Sequence, residues 1–107
     1  MKNEEKEAKL FDPKEFTARA KQVRTLETED GTIRYTVFTA GHAIEINKVQ
    51  DPGERSITLV WLMMKNANEG LTLEDVKSWP ALKFRAILQK LADVAGLAPG
   101  TPGKVSE

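Results

Sequence analysis

Residues able to do chemistry are few in this chain, and each has an ordinary structural use beside its reactive one. His42 is the single histidine and cysteine is absent, so neither a histidine pair nor a thiolate set is there to hold zinc. As a general base His42 lacks a recognisable partner, and it is expected as a polar residue in the first turn of a helix. The adjacent carboxylates Glu74 and Asp75 have the chemistry to bind a hard cation, but at a helix start they cap the chain and complement the dipole. The stretch APGTPGK ends in Gly-Lys without the strand, spacing or hydroxyl residue of a phosphate loop, and no GxGxxG occurs. A protein without enzymatic activity, cofactor or metal is expected.

What remains is apolar surface, concentrated in SITLVWLMMKNANEG, Ser56 to Gly70. On a helical wheel Ile57, Val60, Trp61 and Met64 form one face, while Leu59, Met63 and Ala67 form another. Only a strip near Glu54, Thr58 and Lys65 stays polar. A domain of this size offers limited inner surface, so one of the two faces is expected to serve another chain or a second copy of this one. Methionine suits such a contact, because its unbranched thioether repacks against varied partners. The partner-binding candidates are Trp61, Met63, Met64, Trp79 and Leu82.

The elements that position these residues follow from period and punctuation. Asp12-Pro13, with Glu15 placed as a capping-box acid, starts a short helix over Pro13 to Lys21. The period then changes to two in VRTLETEDGTIRYTVF, where Asp30-Gly31 is expected to form a two-residue hairpin turn. That register sets Glu29 opposite Thr32, Leu26 opposite Tyr35 and Glu27 opposite Arg34, with Ile33, Tyr35 and Val37 on one face. Thr39 caps a second helix. Asp51, Pro52 and Glu54 start the apolar helix, and Gly70 closes its C-terminal end. Thr72 and Asp75 cap a short helix, with Leu71 set to staple onto Val76. A one-sided last helix buries Phe84, Ile87, Leu88, Leu91 and Ala95 and stops at Gly96. The fold class is α+β: a small, mostly helical domain with one β-hairpin packed against three to four helices. Residues 12–97 are expected to form a single globular domain between a disordered segment, 1–11, and a flexible tail, 98–107.

Composition narrows the function. Sixteen basic residues balance sixteen acidic ones, which leaves no net field to attract a polyphosphate, so no nucleic-acid partner is expected. MKNEEKEAKLF is charged where a signal peptide needs an apolar run, and no stretch has the length of a membrane span, so no membrane partner is expected either.

The residue order KQVRTLETEDGTIRYTVFTAGHAIEI, followed by ERSITLVWLMMKNANEGLTLEDVKSWPALKFRAILQKLADVAGL, resembles the tail assembly chaperones of long-tailed bacteriophages. The shared pattern covers Lys21 to Leu97: a hairpin, a TAG turn at Thr39 to Gly41, a long apolar helix, a capping turn at Leu71 to Val76, and a last amphipathic helix ending at Gly96-Leu97. His42, where the family often carries an acid, and Trp79, where it carries smaller aliphatics, depart from it. The resemblance implies a chaperone in the cytoplasm of the bacterial host, absent from the mature virion. It would bind the tape measure protein and reach the tail tube protein through a frameshifted C-terminal extension. Pro102-Gly103-Lys104 is encodable as CCG GGA AAG, which contains the slippery heptamer such a frameshift uses. A homo-oligomer is also expected.

Two competing functions remain at this point. One is a small homo-oligomeric adaptor or protein-interaction domain unrelated to tails, its second apolar face covered by a symmetry mate. The other is a nucleic-acid-binding regulator, which needs Lys21, Arg24, Lys83, Arg85 and Lys90 to act as one basic patch among the acids Glu27 and Asp93.

Overall fold

Helix starts fall where the sequence places them. In the computed structural model, which describes residues 10–97, α1 spans Pro13–Ala20, β1 Arg24–Thr28, β2 Gly31–Tyr35, α2 Ala40–Asn47, α3 Pro52–Met64, α4 Leu73–Lys77 and α5 Ala81–Val94. The architecture is α+β, one antiparallel hairpin packed with helices gathered around α3. Most of the expected N-terminal segment and all of the expected tail lie outside the described residues.

The caps are side-chain to backbone bonds that satisfy N–H groups the helices leave open. Asp51 accepts from the Glu54 N–H at 2.9 Å, and Thr72 and Asp75 form a reciprocal capping box. Two boxes expected from the sequence do not close. Glu15 pairs instead with Arg19 at 3.3 Å, and Glu54 reaches Lys77 of α4 at 3.5 Å. Each acid has a cation within reach, and charge pairing takes it from its own helix end. His42 supplies a box the sequence did not announce: its Nδ1 accepts from the Thr39 N–H at 3.2 Å while Thr39 Oγ1 accepts from the His42 N–H at 3.1 Å.

The hairpin forms with its register displaced by two. Thr28 pairs with Gly31, Glu27 with Thr32, Leu26 with Ile33 and Arg24 with Tyr35. The turn therefore lies on Glu29-Asp30, one residue before Asp30-Gly31. Thr28 decides this: its hydroxyl donates to the Gly31 carbonyl at 2.7 Å and accepts from the Asp30 N–H at 3.1 Å. Gly31 follows at φ 126°, open to glycine and costly for other residues. A two-residue displacement keeps every side chain on its expected face, so Leu26, Ile33 and Tyr35 still point to the core.

α3 is the centre of the molecule. It packs against α2, α4, α5 and β2, and buries Leu59, Val60, Leu62, Met63 and Met64. Val60, Met63, Val76 and Leu91 are fully enclosed where α3, α4 and α5 meet. Each such side chain contributes about 1.5–3 kcal/mol over exposure, so stability concentrates at that junction. The hairpin is tied to the end of α3 by polar bonds. The Thr36 N–H donates to Met63 O at 2.7 Å, and Asn68 Nδ2 donates to Met64 O at 2.8 Å and Arg34 O at 2.9 Å. Carbonyls that a helix C-terminus leaves open are thereby used to dock the strand. α1 stands apart from this core and contributes no buried residue.

Candidate partner-binding surface

The five candidate residues separate into three kinds of place. Met63, with no exposed surface, and Met64, at 6%, belong to the core, which corrects their reading as partner-binding residues. The physical reason is that both apolar faces of α3 are covered from within, by α2 and β2 and by α4 and α5. Trp61 is half-buried and held: its indole N–H donates to Leu71 O at 3.0 Å, and Lys65 Nζ lies 4.5 Å from the ring centroid. Trp79 is also half-buried and packs against the core cluster. Leu82 is 75% exposed on the first turn of α5.

Leu82 opens onto a cleft of about 590 Å³ between α5 and the hairpin turn. Its floor is Leu82, Ala86 and Ile87. Glu27, Glu29 and Asp30 stand on the hairpin lip, and Lys83 and Lys90 on the helix lip. The amphipathic period of α5 places Leu82, Ala86 and Lys90 four residues apart along one line. Lys83 crosses the cleft to Asp30 at 3.2 Å and lies 3.8 Å from Glu29, which binds the turn to α5. Those carboxylates raise the Lys83 pKa, the Asp30 hydrogen bond contributing most. An apolar floor between an acidic and a basic lip suits the apolar stripe of an amphipathic helix with charges of both signs beside it. The acid cluster at the hairpin tip was visible in the sequence; its position across from α5 was not.

Lys83, one member of the hypothetical basic patch, is thus engaged with acids. His42 is tied up as a cap, half-buried against Phe38, with ring centroids 5.9 Å apart. Burial, and then the charge of Lys65, lower its pKa from 6.5, favouring the neutral ring whose Nδ1 can accept a hydrogen bond. Glu74 and Asp75 act as the capping reading expects, Asp75 in the box and Glu74 3.7 Å from Lys77. Among the described residues no helix is long and apolar enough to cross a membrane.

No family model, curated protein or solved structure matches this chain.

Proposed function

We propose that the protein is a tail assembly chaperone of a long-tailed phage, acting in the cytoplasm of the bacterial host without enzymatic chemistry or a cofactor. It covers apolar helical stripes of the tape measure protein until the tail assembles. The observation that carries this reading is the Leu82 cleft, whose apolar floor and lips of opposite charge fit a long helical client. The order of elements from the hairpin to α5 supports it as well, because it follows the pattern that the sequence resembles. A shallow, part-polar cleft gives modest affinity, which a chaperone that must leave the finished particle requires. Contact with the tail tube protein would come through a frameshifted extension beyond Lys104.

Co-expression with the long helical open reading frame encoded beside its gene tests the proposal. The client should become soluble and co-purify with the wild-type chain, and Leu82→Glu with Ala86→Glu, both exposed in the cleft, should abolish that while the chain stays folded. A client equally soluble without the chaperone would end the tape-measure reading. The adaptor reading then takes its place, and the absence of a tape measure gene from the neighbourhood would favour it independently.

A further inference from the structure

α1 is an eight-residue helix with no buried residue. Helices this short are marginal in water unless a packed face supports them. Its apolar residues lie open: Leu10 is 88% exposed, Phe11 67% and Phe16 61%, with the two rings edge to face at 4.9 Å. Beside it runs a cleft of about 550 Å³ lined by Phe16 and Ala20 of α1 and by Val37 and Phe38 beyond β2, with Arg19 and Arg24 among its walls. Arg24 Nε is buried with no hydrogen-bond partner among the described residues. A buried donor left without a partner is costly, and guanidinium geometry suits a carboxylate. The cleft therefore calls for an apolar helical face that carries acids on its flank.

α1 itself has that composition. We propose that α1 is a self-pairing helix, two copies of the chain lying antiparallel across a twofold axis near Thr17 so that each fills the other's cleft. Residues equally spaced from Thr17 then face each other. Glu15 meets the second copy's Arg19, twice by symmetry, and Phe11 meets the second copy's Val23, itself 48% exposed. Asp12 and Glu15 outnumber the one base, Lys14, in the first half of the segment, and Arg19, Lys21 and Arg24 fill the second, so antiparallel copies set the acids toward the bases and Lys14 toward the uncharged Ala20, whereas parallel copies set like against like. Glu15 and Arg19 now pair within one helix at 3.3 Å on an exposed flank, a contact that exchanges readily for its equivalent between copies. The surface is small beside the roughly 1,200 Å² of the least extensive stable interfaces, so the dimer is weak and concentration-dependent. This inference does not depend on the chaperone reading.

Sedimentation equilibrium on the full chain over a wide concentration range tests it. The wild type should show a monomer–dimer equilibrium, and Glu15→Arg and Arg19→Glu should each weaken it about tenfold, as two reversed surface pairs allow. An equimolar mixture of the two variants should recover wild-type affinity as a heterodimer, because each then offers the charges the other lacks. Both variants keep their fold, α1 having no part in the core, and circular dichroism verifies this. A wild type that stays monomeric throughout, a dimer unaffected by either reversal, or a mixture that fails to recover overturns the proposal. A monomer that instead takes up a different protein's helix in this cleft overturns it equally.

Discussion

The Thr36 backbone N–H donates to the carbonyl of Met63 at 2.7 Å, joining the end of the hairpin to the last turn of the central helix across twenty-seven positions of sequence. The hydroxyl of Thr36 stands farther off, 3.5 Å from the same carbonyl. Thr36→Val should therefore cost no more than about 1 kcal/mol in urea unfolding, since the backbone bond survives. Met63→Ala should cost about 2–5 kcal/mol, because the side chain is fully enclosed and leaves a cavity.

Trp61 should act on stability before it acts on binding. Trp61→Phe keeps most of the packing and loses the bond to Leu71 O, an expected loss of about 1 kcal/mol in thermal or urea unfolding. Trp61→Glu should lower the midpoint far more. Leu82→Glu should leave it nearly unchanged. Equal effects of the two glutamates would show that the α5 cleft is closed in solution.

Stability should fall with acid through His42. Its pKa is lowered in the folded chain, so the unfolded chain takes up the proton first as pH drops. The contribution is complete above about pH 6.5, the ordinary value, and is lost as pH falls toward and through the lower folded value. His42→Gln keeps an acceptor in the capping-box position and has no proton to gain. Its unfolding free energy, followed by urea titration from neutral pH downward, should show a shallower decline than the wild type.

Gly31→Ala should destabilise the hairpin by about 1 kcal/mol or more, since φ 126° is unfavourable for a residue with a Cβ even where space is open. The same change at Gly41, inside α2 and without positive φ, should be neutral or slightly stabilising in the same unfolding assay.

What could be read in advance was local. Caps at Asp12, Asp51 and Thr72, the period of α5 and the existence of the hairpin all follow from near neighbours in sequence. The hairpin register was missed because Asp-Gly is a strong turn signal and the Thr28 hydroxyl that overrides it is a weaker one. The two apolar faces of α3 were legible, but not what covers them. Periodicity reports that a face is buried and is silent on whether the cover is the same chain or another, so Met63 and Met64 read equally well in sequence as core or as contact. Leu82, on α5, lies open, and α1, with too few apolar residues to stand out, carries the exposed rings of Phe11 and Phe16.

The bridge from Lys83 to Asp30 joins positions fifty-three apart, the longest sequence separation among the side-chain hydrogen bonds of the described residues. Closing a span of that length costs loop entropy that one exposed ion pair does not offset, so the bridge depends on the packing of the helices and hairpin around it. The two lips of the Leu82 cleft therefore meet only where the hairpin and α5 are both in place. A chain in which either element is undocked has no such cleft, so the surface itself distinguishes the folded chain from one still maturing.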